Sequence, residues 1–314
     1  MEKKYRAGLI GVGSIAHIAH LPILAARNDV EMAGAFAEHI GSVQLTQKSY
    51  AIQHAVHNMD ELLSLGLDCA FVLSPKTVHA EQVIRLLEAG VDVFCEKPMG
   101  MTLKEAYDMA DASARTSRKL MIAFNRRYAP VYRKAKEIYG QISPDVLIAQ
   151  KNRPASEYRA TLENAIHMVD ILRYFCGECI KVEACSKFTD PLYETLTTAQ
   201  LQFENGSVAM LVANRASGQW VETLEMHGHN KSVLVNCPDS ITVTDAEQSH
   251  TTSMTPLAYG WAKVIDKMGF TQEVDHFFDC LAHDKEPLTN GADAYKTQEL
   301  MHRILTAAGL PGLG

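Results

Sequence analysis

Residues 6–16 read Arg-Ala-Gly-Leu-Ile-Gly-Val-Gly-Ser-Ile-Ala, and this stretch decides the fold. Its first half is a short apolar run that predicts a buried strand, and its second half opens a segment, 14–27, with helical periodicity. Between them, residues 11–16 have the spacing G-x-G-x-x-A. The first glycine permits a tight turn, the second lets phosphates approach the backbone, and the small third residue lets helix and strand pack closely. We therefore expect Gly11, Gly13, Ser14 and Ile15 to bind the pyrophosphate of a dinucleotide at a helix N-terminus.

The segments that follow this turn alternate between strand-like and helix-like patterns as far as residue 124. Helical periodicity covers 59–66, 77–89 and 102–116, and Thr102 followed by Glu105 is a capping-box pattern. Apolar runs predict strands at 30–37, 51–57, 68–73, 91–95 and 119–124. Apolar strands that alternate with helices predict a parallel sheet covered on both faces. We predict an α/β fold whose first domain, 1–124, is a doubly wound Rossmann sheet.

The pattern changes beyond residue 124. Helices are predicted at 131–139 and 162–175, and strand-like runs then follow one another at 145–151, 180–187, 195–203, 207–213, 221–227 and 232–235. The segment Glu204-Asn205-Gly206-Ser207 is a hairpin signal, and its Asn-Gly pair suits a type I′ turn. We predict that 125–314 form a second α/β domain on a large, mostly antiparallel open sheet with helices on one face. The last helix, 292–307, is expected to belong to this domain or to pack back on the first.

The composition is that of an ordinary globular protein, and it excludes several classes of partner. The chain has 314 residues, of which 47% are hydrophobic and 21% charged, and its net charge is −7. An acidic balance gives no electrostatic attraction to nucleic acid or to an anionic membrane. No apolar run is long enough for a membrane-spanning helix and no signal peptide is visible, so we expect a cytoplasmic protein.

The seven cysteines are irregularly spaced. Cys176-Gly-Glu-Cys179 is an isolated C-x-x-C without a second pair at zinc-site spacing, so a structural role is favoured over a redox or metal role. We expect no metal, and reduced thiols fit a reducing compartment.

The residue that would contact the adenosine ribose is less clear from the sequence. The second predicted strand ends in Ala37-Glu38, where an Asp is more usual at the first of these positions. Glu38 is either the ribose ligand or a solvated loop carboxylate. Because no Arg is present here to bind a 2′-phosphate, NAD is favoured over NADP, although both stay open.

Several segments together resemble the Gfo/Idh/MocA oxidoreductases, a family that includes glucose–fructose oxidoreductase and inositol 2-dehydrogenase. They are Gly11–Ala16, His20-Leu21-Pro22, Ser74-Pro75-Lys76-Thr77-Val78-His79, Cys95-Glu96-Lys97-Pro98 and Phe124-Asn125-Arg126-Arg127-Tyr128. The resemblance covers essentially the whole chain, and Glu-Lys-Pro is its most specific mark. It implies a Rossmann domain followed by a C-terminal α/β domain, and a homodimer or homotetramer associated through the open sheet. Cofactor contacts are expected at the ends of predicted strands, where ligands bind in such sheets, namely from Ser74, Pro75, His79, Glu96 and Lys97.

The same resemblance implies the catalytic residues. Lys97 matches the lysine of Glu-Lys-Pro, and His167 matches the histidine of a D-x-x-x-H helix motif, in which Glu163 replaces the usual Asp. A histidine suits proton transfer near neutral pH, and a lysine can stabilise a developing alkoxide. With Glu163, these residues are expected to bind substrate, as are Arg153 and Tyr158. The spacing of Glu163, His167, Asp170 and Tyr174 also predicts a polar stripe along one helix.

Three functions from different classes are compatible with this sequence. The first is an NAD(P)-dependent dehydrogenase or reductase acting on CH–OH groups of a sugar, a cyclitol or a related polyol. The second is a nucleotide-binding regulatory or sensor protein of the same fold without turnover, which Ala37 and Glu163 leave open. The third, a redox or metal protein using Cys176 and Cys179, has least support. Arg126 and Arg127 are expected to meet either the cofactor or a carboxylate, with a structural role equally open.

Overall fold

A computed structural model of the protein describes residues 4–154, 159–188, 194–254 and 263–314. These residues form two compact units. The first contains 1–123 together with 270–296, and the second contains 124–269 together with 297–314.

The first unit is built on a six-stranded parallel sheet in the order β3-β2-β1-β4-β5-β6. Its strands are β1 Tyr5–Ile10, β2 Val30–Phe36, β3 His54–Val56, β4 Cys69–Val72, β5 Asp92–Cys95 and β6 Leu120–Ile122. Every residue of β4 and β6 is buried, as expected for strands with both faces covered. This order confirms the predicted doubly wound sheet. Successive strands are added outward from β1 on one side as far as β3, and then on the other side from β4 to β6.

Six helices and part of a seventh belong to the first unit as described. They are α1 Leu21–Ala26, α2 Ile40–Ser49, α3 Met59–Leu63, α4 His79–Glu88, α5 Leu103–Thr116, α9 Phe270–His283 and the start of α10 Gly291–Ala307. The capping box predicted for α5 is present, with the Thr102 hydroxyl accepting from the Glu105 N–H at 3.1 Å. A π-helical turn, Ala16–His20, leads into α1, so helical structure runs unbroken from Ser14.

The second unit is built on an eight-stranded sheet in the order β14-β13-β12-β11-β7-β10-β9-β8. Its strands are β7 Val146–Asn152, β8 Cys179–Phe188, β9 Glu194–Phe203, β10 Val208–Asn214, β11 Val221–Gly228, β12 Lys231–Asn236, β13 Ser240–Asp245 and β14 Gln248–Ser253. Only β7 and β10 pair in parallel, so the predicted mostly antiparallel sheet is confirmed. The strands β13 and β14 were not predicted; β14 has no apolar residue, and β13 has only Ile241 and Val243.

Helices cover one face of this sheet. α6 Pro130–Tyr139 packs on β12 and β13, and α7 Ile166–Cys176 packs on β7 and β10. Burial alternates along β10, where Ala209, Leu211 and Ala213 are buried and Met210 between them is half exposed. α7 is preceded by a π-helical turn, Ala160–Ala165, and the short α8 Val264–Lys267 precedes α9.

The hairpin between β9 and β10 corrects one prediction. The Phe203 N–H donates to the Ser207 carbonyl at 3.0 Å, and the Gly206 N–H donates to the Phe203 carbonyl at 3.0 Å. The hairpin is present, but a type I′ turn needs positive φ at two residues, and here only Gly206 has it, at 89°. A three-residue loop places its left-handed residue at the glycine alone, and Asn205 instead caps the turn by accepting from the Ser207 N–H at 3.0 Å.

Among the helices in the described part of the chain, none is both long and apolar enough to cross a membrane.

A buried charge cluster joins the start of the second unit to its sheet. Arg126 donates to Glu222 on β11 from Nε at 2.6 Å and from Nη2 at 2.9 Å. Lys151, directly opposite Glu222 on β7, donates to the same carboxylate at 2.5 Å. All three side chains are almost fully buried. Arg126 therefore has a structural carboxylate partner.

The electrostatics of this cluster follow from two cations sharing one carboxylate. Burial lowers the pKa of Lys151 to about 7, and the nearby Arg126 acts in the same direction. Burial acts to raise the pKa of Glu222, but Arg126 and Lys151 together hold it well below its usual range. The carboxylate therefore stays ionised and balances the arginine.

Glu222→Gln is expected to lower the free energy of unfolding by about 3–5 kcal/mol, because removing one partner leaves buried cations without a counter-charge. Urea denaturation followed by circular dichroism measures this change.

Two variants serve as comparisons. Lys151→Met keeps the Arg126–Glu222 pair balanced, so we expect it to cost less than Glu222→Gln. Lys104→Gln removes one partner of the exposed Lys104–Asp108 pair and should leave the midpoint nearly unchanged. Wild-type stability of Glu222→Gln would show that the cluster does not anchor the second unit.

Candidate functional site

The glycine-rich turn of the first unit begins at Gly11, where the backbone approaches a neighbouring strand end. Gly11 has φ of 91°, and a Cβ atom there would lie 2.7 Å from the Leu73 carbonyl. Its N–H donates to the Phe36 carbonyl at 2.8 Å. Only glycine fits such a conformation at so close an approach.

Gly13 differs from Gly11 in its surroundings. Its φ lies outside the left-handed region, and a Cβ atom there would have no described heavy atom within 4 Å. The turn is thus open at Gly13, immediately before the helical structure that begins at Ser14. An open backbone position at a helix N-terminus suits a phosphate.

A groove of about 610 Å³ lies along this turn. Its lining includes seven of the residues predicted to bind cofactor, namely Gly11, Gly13, Ser14, Ile15, Glu38, Ser74 and Pro75. The segments that follow β1, β2 and β4 supply them, because the carboxyl ends of parallel strands meet at one edge. The groove is also lined by His39, Ser42, Thr77 and Gln82, for which no cofactor contact was predicted.

Glu38 lies in this groove, directly after β2. The lining contains His39 but no Arg or Lys among the described residues. A carboxylate here can accept hydrogen bonds from ribose hydroxyls, and its negative charge repels a 2′-phosphate.

His79 and Glu96, also predicted to contact cofactor, are buried and do not line the groove as described. His79 Nδ1 lies 3.0 Å from the Pro98 carbonyl, and its Nε2 lies 3.0 Å from the Ser74 carbonyl. Burial lowers the pKa of His79.

Glu96 has a buried partner that the sequence did not reveal. Its Oε1 lies 2.9 Å from Nε2 of His20, and its Oε2 accepts from the Lys97 N–H at 3.2 Å. Burial acts to raise the pKa of Glu96, but the His20 hydrogen bond and the charges of His20 and Lys97 hold it below its usual range. Lys97 itself is partly buried. The Glu96-Lys97-Pro98 segment is therefore fixed on either side of Lys97.

His167 and Glu163 belong to the second unit, and they lie at the junction of two helical forms. Glu163 is partly buried on the π-helical turn, and His167, 7% exposed, is the second residue of α7. π-helical turns are rare in proteins overall, and those that occur are often found at functional sites.

Asp170, which belongs to the predicted polar stripe along this helix, has its polar partners within the second unit. Asp170 is fully buried and accepts from Arg127 Nε at 2.8 Å and from Nη2 at 2.6 Å. Thr297 donates to the same carboxylate at 3.1 Å. A carboxylate engaged on both oxygens is structural, and Arg127 therefore has a structural partner, as Arg126 has.

Of the two further residues predicted to bind substrate, Arg153 follows β7 and stacks on Trp220, with its guanidinium carbon 3.9 Å from the ring centroid. Trp220 is 48% exposed. Tyr158 lies outside the described residues.

Cys176 and Cys179 are both buried thiols without a disulfide. Burial raises the pKa of Cys176 to about 12, and burial also raises the pKa of Cys179. The thiolates needed for redox or metal chemistry are therefore disfavoured. In the described ranges no three His, Cys, Asp or Glu residues are grouped as a metal site would require.

Comparison with known families matches both units. Residues 5–124 match the oxidoreductase family with an NAD-binding Rossmann fold, and residues 152–309 match the C-terminal alpha/beta domain of that family. The chain belongs to the Gfo/Idh/MocA family. It is therefore an oxidoreductase with an NAD-binding Rossmann domain.

Relatives within the family match almost the whole chain. YceM of Salmonella typhimurium, named as an oxidoreductase, is 26% identical over 95% of this chain and 96% of its own length. The scyllo-inositol 2-dehydrogenase (NAD(+)) of Bacillus subtilis is 20% identical over 94% and 91%.

Solved structures share the fold. The crystal structure of the dehydrogenase MviM from Clostridium difficile superposes with a TM-score of 0.88 at 24% identity, covering 97% of this chain and 100% of that one. Levoglucosan dehydrogenase, in complex with NADH and levoglucosan, superposes with a TM-score of 0.88 at 20% identity, covering 98% and 97%.

Gly13→Val is expected to lower NADH affinity at least about 100-fold, or about 2.7 kcal/mol, while the fold survives. The valine side chain would extend into open space along the groove, where the pyrophosphate of a dinucleotide must lie. Fluorescence titration with NADH measures the affinity, and a thermal melt tests folding.

Gly218→Val makes the same change at an exposed glycine of the second unit, which also has open space around its Cβ position, and should bind NADH normally. Gly11→Val should instead lower thermal stability, because of its positive φ and the contact with Leu73. Unchanged NADH affinity in folded Gly13→Val would mean that the turn is not the phosphate site.

Proposed function

We propose that this oxidoreductase is an NAD-dependent dehydrogenase of a sugar, a cyclitol or a related polyol, with Lys97 and His167 as its catalytic residues. The observation that carries the proposal is the groove at Gly13. It lies at the edge of the sheet where the strands end, and the fixed Glu96-Lys97-Pro98 segment follows a strand at the same edge. The named activities of the B. subtilis inositol dehydrogenase and of levoglucosan dehydrogenase, both acting on polyhydroxylated rings, support the substrate class.

The residues of the groove fit a dinucleotide. Gly13 leaves the space that a Cβ would fill, the helix start at Ser14 offers backbone N–H groups, and Glu38 offers a carboxylate for ribose hydroxyls. NAD, when bound, accepts the hydride from the carbon that bears the reacting hydroxyl.

We propose the following roles for the protein's own residues in the direction of alcohol oxidation. His167 accepts the proton of the reacting hydroxyl as general base. Lys97 donates a hydrogen bond to the same oxygen and stabilises the negative charge that develops as the proton leaves. Glu163, four residues before His167, orients the imidazole. In the reducing direction the same groups return the proton to the carbonyl oxygen.

Arg153 and Tyr158 are proposed substrate contacts. An arginine stacked on Trp220 presents a flat, pre-oriented donor edge that suits hydroxyl or carboxyl oxygens. We also propose that copies of the chain associate as a homodimer or homotetramer through the open face of the eight-stranded sheet. That face exposes Val146, Met210 and Leu234, each more than two-fifths accessible.

NAD should be preferred over NADP by at least about 10-fold in kcat/KM, because Glu38 opposes the charge of a 2′-phosphate and the described lining offers no Arg or Lys. Glu38→Ser should reduce this ratio. Side-by-side kinetics with the two cofactors provide the measurement.

Glu81→Ser removes an exposed carboxylate from α4, outside the groove lining, and should leave the ratio unchanged. A wild-type preference for NADP would contradict the assignment of Glu38.

Lys97→Ala and His167→Ala should each lower kcat at least about 100-fold, the low end for a general acid–base group, while NADH binding persists. Glu163→Asp should change kcat or the preferred substrate, because a shift of about 1 Å in a catalytic group can change rates about 100-fold. Steady-state kinetics on a polyol panel, with thermal melts, measure these effects.

Near-normal turnover in folded His167→Ala would remove this histidine from the mechanism. NADH binding without turnover of any polyol in the wild-type protein would instead favour a nucleotide-dependent regulator of the same fold.

A further inference from the structure

His79 is a buried titratable group of the first unit that the proposed reaction does not use. It is 1% exposed, and it is the first residue of α4. Its ring nitrogens contact two different segments. One contains Ser74, which follows β4, and the other contains Pro98, which follows β5. A side chain enclosed in this way cannot contact substrate, so any effect on the reaction must act through its partners.

The two partners of the ring are both backbone carbonyl oxygens, which only accept hydrogen bonds. Nδ1 lies 3.0 Å from the Pro98 carbonyl and Nε2 lies 3.0 Å from the Ser74 carbonyl. Each contact is a hydrogen bond only when that nitrogen carries a proton. A neutral ring therefore makes one of the two bonds, and a protonated ring makes both.

Each end of this bridge lies next to a functional element. Ser74 lines the groove, and its hydroxyl also donates at 2.6 Å to Gln82, one turn further along α4. Pro98 follows Lys97 directly, and the Lys97 N–H is held from the other side by the Glu96 carboxylate at 3.2 Å. The ring thus spans from the wall of the groove to the carbonyl of Pro98, the residue that follows Lys97.

We propose that His79 is a positioning residue for Lys97: its ring lies between the Pro98 and Ser74 carbonyls, donates to one of them in the neutral form, and so fixes the segment that carries Lys97 relative to the cofactor groove. This proposal rests on the proposed function, in which Lys97 acts on the substrate oxygen. A catalytic group must be held within a fraction of an ångström of its productive position, and buried hydrogen bonds are the usual means.

Burial of the ring favours its neutral form near pH 7. Burial lowers the pKa of His79, the two carbonyls and Glu96 act to raise it, and Lys97 acts to lower it. The ring therefore carries a single proton at neutral pH, and acidification adds the second bond.

A double-mutant cycle tests the proposal. His79→Leu should lower kcat about 10-fold while the KM for NAD and the affinity for NADH change less than about 3-fold, because Lys97 shifts but the groove remains. In the Lys97→Ala background, His79→Leu should change kcat by less than about 2-fold, because the group that it positions is gone. His57→Leu, the same change at an exposed histidine of the first unit, should have no effect in either background.

The outcomes separate the two proposals. Full turnover in Lys97→Ala would overturn the proposed function, and the role of His79 with it. A large loss in Lys97→Ala followed by a further 10-fold loss on adding His79→Leu would overturn the positioning role alone, because the effects would then be independent.

Leucine at a buried polar site can also prevent folding. His79→Gln keeps a donor at this position and should restore part of kcat, which a purely space-filling role does not predict. In the wild-type protein, NMR of ring-¹⁵N-labelled histidine should show one protonated and one unprotonated nitrogen for His79 at pH 8, with a shift on adding NADH. A signal that does not respond to NADH would overturn the link to the groove.

Discussion

The close approach of three strand ends at Gly11 is the constraint on which the nucleotide site depends. The Gly11 N–H bonds to the end of β2, and the Leu73 N–H at the end of β4 donates to the Ile10 carbonyl at 2.7 Å. A side chain at Gly11 would meet the Leu73 backbone, so it would separate these strand ends. Their convergence allows Gly13, Glu38 and Ser74, which come from three separate loops, to line a single groove.

The second unit depends on buried charge pairs in place of close backbone contact. Two consecutive arginines bind two different elements, since Arg126 meets Glu222 on β11 and Arg127 meets Asp170 on α7. Each pair is bidentate and shielded from water, so it is strong only in one geometry. The Asp170 pair lies one turn beyond His167 on α7. The segment that begins the second unit therefore also fixes the helix that carries the proposed base.

Most elements were predicted correctly where their buried residues form a recognisable pattern in the sequence. Strands β1, β4 and β5 are mostly buried, so their sequences are mostly apolar, and the capping box of α5 depends only on residues three apart. The strand β14 has no such pattern, because it is almost entirely exposed and its sequence is mostly Ser, Thr and His. The Asn205-Gly206 pair predicted a hairpin but not its loop length, which the pairing of β9 with β10 sets.

For the site, local patterns in the sequence were enough to identify the residues at the strand ends: the glycines of the turn, Glu38, and the Glu96-Lys97-Pro98 segment. These signals are local, so they can be read along the chain. Only the tertiary structure decided that His79 and Glu96 are buried beside the groove, that His20 is the partner of Glu96, and that Asp170 is bound to Arg127. Those relations join residues separated by 19 to 76 positions. Hydrogen bonds act over about 3 Å, and only folding brings such distant residues within that distance.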